Sequence, residues 1–189
     1  VHIASRLDII ISNSGISAWP LTDMSYMFSD CNQLTNLDLS GLNTENVVNM
    51  KYTFNNCNQI TSLANLNTQS VTNFEYTFND CTNLISLGTG NQLSLSAAEQ
   101  AKYMFNNCNA LTNLKFLSGS GTSLTDMSYM FSNCQNLNSL DLSGLSTANV
   151  ENMDHTFNNC KQITSLGTMT QFNTQSVKTM SHMFSYCEA

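Results

Sequence analysis

The sequence predicts an α/β fold: a right-handed solenoid with short parallel strands on one face and short helices on the other. Three observations carry that expectation. Cys31, Cys57, Cys81, Cys108, Cys134, Cys160 and Cys187 recur at intervals of 26, 24, 27, 26, 26 and 27 residues, a period typical of stacked repeats. A phenylalanine stands three residues before every one of them: Phe28, Phe54, Phe78, Phe105, Phe131, Phe157 and Phe184. Within each unit the apolar spacing changes from a helical period to a strand period.

The elements follow in chain order. Residues 1–20 are expected to form an irregular N-terminal cap, with a degenerate strand within Leu7–Ile11 and then Trp19-Pro20. Met24, Met27, Phe28 and Cys31 fall at i, i+3, i+4 and i+7, one face of a short helix. Asp23 precedes that run, and Asn49, Asn73, Asp126 and Asn152 take its place in other units. Such residues cap helices by accepting from orphan N–H groups. Leucine or isoleucine follows the cysteine by three residues, and leucine by six. Leu37-Asp38-Leu39 and Leu140-Asp141-Leu142 then alternate in and out as strands do. Gly, Ser, Asn and Thr close each unit as turn residues. A return path of more than 20 residues forbids hairpins, so successive strands pair in parallel through a crossover. No unit buries its own apolar face, so neighbours must stack, with columns of Phe, Cys, Leu and Met as the core.

Residues 22–64 match residues 125–167 at 31 of 43 positions, and Thr22–Ser29 recurs unchanged as Thr125–Ser132. A block of four units has been duplicated. The cysteine spacing runs on unbroken, so residues 21–189 are expected to form a single solenoid of about seven 24–27-residue units. The sequence ends two residues after Cys187, in mid-unit, and more repeats or a cap are expected to follow in a longer parent chain.

Composition narrows the function. The 189 residues carry 6 Lys+Arg and 13 Asp+Glu, a net charge of −7. An acidic chain lacks the basic face that phosphates require, so nucleic acid is not an expected partner. No apolar run approaches the roughly 18 residues of a membrane span, so this segment is not expected to insert. Asn, Ser and Thr number 27, 24 and 20, standing where charged residues usually do.

No chemistry-bearing constellation stands out. The seven cysteines lie on the apolar side of their units and are expected to be buried free thiols; occasional pairing between adjacent rungs is the alternative. There is no Cys-x-x-Cys and no histidine at partner spacing, so no metal is expected. His155 and His182 replace Tyr26, Tyr52, Tyr76, Tyr103 and Tyr129 at a half-covered aromatic position. Asp38 and Asp141 share a strand position four units apart, about 20 Å at strand spacing, too far for a glycosidase pair. Gly88-Thr89-Gly90 lacks the lysine and helix of a phosphate loop. The asparagines before the cysteines (Asn56, Asn107, Asn133, Asn159, with Asp30 and Asp80) are expected to bond turn backbone. No catalytic residue and no cofactor is expected.

The run Phe28-Ser29-Asp30-Cys31-Asn32-Gln33-Leu34-Thr35-Asn36-Leu37-Asp38-Leu39 resembles the BspA-like class of bacterial leucine-rich repeats. Met-Phe before the cysteine, with Asn-Val-x-x-Met ahead of it, is similar to the Met-Phe subfamily of bacterial surface proteins. The resemblance covers residues 21–187. It implies a leucine-rich-repeat-like solenoid, outside the cell or anchored on its surface. It also implies a non-enzymatic role in adhesion or in contact with a host, matrix or neighbouring-cell protein or glycan.

The surface available for such a contact is the outward side of the strands: Asn36, Ser62, Ser86, Asn113 and Ser139, and beside them Asp38, Ala64, Gly88, Lys115 and Asp141. Small side chains leave that sheet accessible. It has no aromatic anchors, so a weak, multivalent contact is expected of a chain that is itself a monomeric piece. A structural spacer with no ligand of its own is the competing reading, and a repeat-bearing enzyme the third.

Overall fold

A computed structural model describes residues 9–10, 20–64, 66–87, 92–117 and 119–189. Among the described residues seven short strands follow in order: β1 Ile9–Ile10, β2 Leu37–Asp38, β3 Ser62–Leu63, β4 Ser86–Leu87, β5 Gln92–Leu93, β6 Asn113–Phe116 and β7 Ser139–Asp141. Every pairing is parallel, as the long return paths require. They form three sheets, β1-β2, β3-β4 and β5-β6-β7. The strand expected near the N-terminus is β1, which pairs with β2; Trp19 lies outside the described residues. In the fourth unit β4 pairs back to β3 while β5 pairs forward to β6, so the pairing changes strands there.

The short helices are a correction. Among the described residues there is no helix. Each expected helix is instead a chain of β-turns, as in residues 24–31. The N–H groups of Met27, Ser29 and Cys31 bond the carbonyls three residues back, at 3.1–3.2 Å. Those of Met24, Tyr26, Phe28 and Asp30 bond Asn49, Lys51, Thr53 and Asn55 of the next rung, at 2.8–3.0 Å. This alternation repeats at all six junctions between the seven cysteine-bearing rungs. A helix spends its N–H groups internally and has none to offer a neighbour. Two consecutive four-residue turns also send Met24, Phe28 and Cys31 inward, so the apolar spacing cannot separate the two structures.

The turns need left-handed residues, as type II turns do. In the first rung these are Tyr26 (φ 59°) and Asp30 (φ 62°), and every later rung repeats the pair. Asn and Asp tolerate that region; a tyrosine costs about 1–2 kcal/mol there. Stacking offsets this, at about 0.5–1.5 kcal/mol per aromatic pair. The residues expected as helix caps cap turns instead. Oδ1 of Asp23, Asn49, Asn73, Asp126 and Asn152 accepts from the N–H two residues on, at 2.7–3.1 Å. The same positions, with Gln100 and Thr179, form a second line of parallel bridges.

The core is a set of columns. Phe28 through Phe184 stack with centroids 5.2–5.7 Å apart. Met24, Met50, Phe74, Ala101, Met127 and Met153 lie beside them, fully buried. Buried Thr53, Thr77 and Thr156 satisfy carbonyls of their own rung and the preceding one. The asparagine columns also correct an expectation, since they bond one another rather than turn backbone. Asn56 donates to Asp30, Asn107 to Asp80 and Asn159 to Asn133, at 2.6–3.0 Å.

All seven cysteines are free. From Cys57 onward each Sγ donates to the carbonyl of the preceding rung's phenylalanine, at 3.0–3.1 Å. Five are buried, while Cys31 and Cys187 are half-buried. A thiol reagent should therefore modify Cys31 and Cys187 in the native state and reach the other five only on unfolding. Mass spectrometry of the labelled chain checks this.

Burial pushes the thiols of Cys57 and Cys160 up to about 12, and those of Cys81, Cys108 and Cys134 well above the ordinary 9.0. Between about pH 9 and 12 the native chain then holds more protons than the unfolded one, so stability falls as pH rises through that window. Urea melts from about pH 8 to about pH 11 should show the midpoint dropping.

Candidate functional site

The strand face assembles much as its residues suggest. Ser62 pairs with Ser86, Asn113 with Ser139, and Ser139 with Ser165. Lys115 pairs with Asp141. The intervening Leu63, Leu87, Leu114 and Leu140 turn inward and are buried. Asn36, Asp38, Ser62, Ala64, Asn113, Lys115 and Ser139 are exposed, while Ser86 and Asp141 are half-buried. Gly88 lies outside the described residues. The described strands of this face fall into three sheets, and a bridge from Ser139 carries it on to Ser165.

Its charges are largely engaged within the chain. The Ser40 N–H, 2.8 Å from Oδ1 of Asp38, holds that carboxyl below the usual range. Asp141 is lowered first by Ser143, whose N–H lies 2.9 Å from Oδ1, and further by Lys115 at 3.3 Å. The Lys115–Asp141 pair is exposed enough to contribute little to stability.

A second surface runs the length of the seven cysteine-bearing rungs. Tyr26, Tyr52, Tyr76, Tyr103, Tyr129, His155 and His182 form one ring column with centroids 4.4–4.8 Å apart. The rings lie within 14° of parallel until the last pair, which tilts by 33°. Tyr26 is 58% exposed and the next five rings are half-buried. Burial, then the neighbouring phenols, raise Tyr76 to about 12. Beside the rings run Lys51, Glu75, Lys102 and Asp154. Lys51 is paired with Glu75, and Lys102 sits 5.5 Å from the Tyr103 centroid. The sequence placed these rings at one register beside a helix. What it did not give was their stacking, which follows from the turn ladder. The signal was an aromatic residue at one register in all seven units.

Neither surface gathers reactive groups. Among the described residues no three His, Cys, Asp or Glu side chains come together in a way that could hold a metal. No helix of the described residues is long and apolar enough to cross a membrane.

Comparison with known proteins places this architecture. The pattern of a family described as a Mycoplasma protein of unknown function, DUF285, matches residues 9–118 and again residues 100–189. The chain belongs to the DUF285 family. No curated protein matches its sequence.

Solved structures are similar to this DUF285 chain at low identity. A leucine-rich repeat protein from Eubacterium ventriosum is 19% identical with a TM-score of 0.55, over 87% of this chain and 40% of that one. A leucine rich cell surface protein from Faecalibacterium prausnitzii is 14% identical with a TM-score of 0.53, over 86% and 46%. The leucine rich repeat protein of T. pallidum is 15% identical with a TM-score of 0.50, over 80% and 75%. These similarities show the fold, that of bacterial leucine-rich-repeat proteins. The chain spans less than half the length of the Eubacterium and Faecalibacterium proteins.

Proposed function

We propose that this DUF285 chain is a non-enzymatic recognition module on the outside of the cell, binding a protein or glycan through the strand face of a right-handed solenoid. The observation that carries it is the row of small exposed side chains Ser62, Asn113 and Ser139, held on paired backbone over a buried leucine row, with exposed Ala64 just beyond β3. Such a face is rigid before binding, which lowers the ordering cost of association. The right hand follows from the general rule for parallel crossovers. The Met-Phe-x-x-Cys repeat supports the narrower BspA-like reading, and the Faecalibacterium protein's description as a cell surface protein supports the location.

A glycan and matrix-protein array probed with a multivalent display of the chain tests this. Specific binding is expected, and Ala64→Trp and Ser139→Trp should each reduce it about tenfold or more by blocking the face. Both positions are exposed, so circular dichroism should be unchanged. Binding indifferent to both variants would move the site off the strands, and no binding at all would leave the chain a spacer.

A further inference from the structure

We propose that the tyrosine column is a contact face between two copies of this chain, lying side by side and antiparallel, one rung out of step. Tyr76 of one copy then faces Tyr103 of the other. This goes beyond the recognition reading and does not depend on it.

Pitch is the first argument. The rings repeat every 4.4–4.8 Å, close to the roughly 4.7–4.9 Å between neighbouring strands. A partner keeps register along the whole column only if it repeats at that distance. An extended peptide laid along it advances about 6.6–6.8 Å per like-facing residue and falls out of step. A second stack of rungs does not. Between Tyr52 and His155 the ring faces are spent on one another, so the column shows mainly ring edges and hydroxyls. Phenol hydroxyls both donate and accept, so one such row can satisfy another.

Charge is the second argument, and it selects the arrangement. The chain carries −7, yet the column beside the rings holds two cations and two anions, Lys51, Lys102, Glu75 and Asp154. An antiparallel two-fold pairing sets this column against its own reverse. With a one-rung offset Glu75 meets Lys102, twice by symmetry, and no like charges face each other. Aligned without the offset, Lys102 would meet Lys102, which is repulsive.

The stripe is roughly 30 Å long at this rung spacing, and narrow. It falls short of the roughly 800 Å² per partner of a standard interface. The pair is therefore weak: the chain is a monomer in dilute solution, and copies crowded on one surface associate through repeated contacts.

Sedimentation velocity on the 189-residue chain, from about 10 μM to about 1 mM at low salt, tests it. A dimer should appear as concentration rises. Glu75→Lys and Lys102→Glu should each raise the dissociation constant about tenfold or more, and the double swap should restore it. Tyr76→Asn with Tyr103→Asn should abolish the dimer with the circular dichroism unchanged, since Asn accepts positive φ. A monomer throughout overturns the proposal, as does a dimer that ignores the charge swap.

Discussion

Phe131→Ala should lower the unfolding free energy by about 3–5 kcal/mol, the usual loss for a core aromatic. Phe131 is 0% exposed. Its ring stacks between Phe105 at 5.6 Å and Phe157 at 5.7 Å, and meets Phe116 edge-on at 6.3 Å. Truncation therefore removes three aromatic contacts and leaves a void with backbone-bonded rungs on either side. Hydrogen bonds from the Met127 N–H to the Asn152 carbonyl and from the Phe131 N–H to the Thr156 carbonyl, at 3.1 and 2.9 Å, hold those rungs at fixed spacing, so the void cannot close by collapse. Because each rung contacts mainly its neighbours, the loss should spread along the stack rather than stay local. Denaturant melts give the free energy. Hydrogen exchange should show the protection of rungs 105–108 and 157–160 falling with that of 131–134.

Gly144→Ala should be nearly as costly, about 3 kcal/mol or more, at the upper end for overpacking. A Cβ there would run into the Phe116 carbonyl oxygen and lie 2.9 Å from the carbonyl carbon and oxygen of Leu117. These are backbone atoms of the neighbouring rung, so no side chain can rotate away and the rungs must part. Gly119→Ala is the control. Its Cβ would meet nothing within 4 Å, and only the positive φ of 82° resists it. For a chain of this size each kcal/mol moves the melting temperature by about 2–4 °C. Thermal melts should place Gly144→Ala well below Gly119→Ala, and equal melting would mean that the rungs do not approach this closely.

Much of the fold was legible in the residues. The cysteine period gave the rungs, the inward Phe and Leu positions gave the core columns, and the long return path gave parallel pairing. Even the register of Ser62 with Ser86 and Lys115 with Asp141 follows from aligning units. The helices were not legible correctly, because Met24, Phe28 and Cys31 fall on one face of either a helix or two successive turns. What distinguishes them is the left-handed backbone at Tyr26 and Asp30. An aspartate there hints at it, but a tyrosine argues against it by its own preference. Stacking in the assembled column offsets that cost, and no single unit reveals it. The strand face was half legible for a related reason. Its side chains point outward as alternation requires, yet the change of pairing between β4 and β5 depends on the irregular fourth unit, whose spacing differs from its neighbours.

The turn ladder underlies the whole fold: alternate N–H groups of each rung bond the next rung instead of closing a helix. Nuclear Overhauser spectra of the labelled chain test it most directly at residues 101–108 and 127–134. Strong intraresidue HN–Hα contacts at left-handed Tyr103, Asn107, Tyr129 and Asn133 are predicted, together with backbone contacts between the two segments where the Tyr103 and Phe105 N–H groups bond the carbonyls of Ser128 and Met130. A run of Hα(i)–HN(i+3) contacts through both segments, with no contact between their backbones, would show helices lying side by side and contradict it.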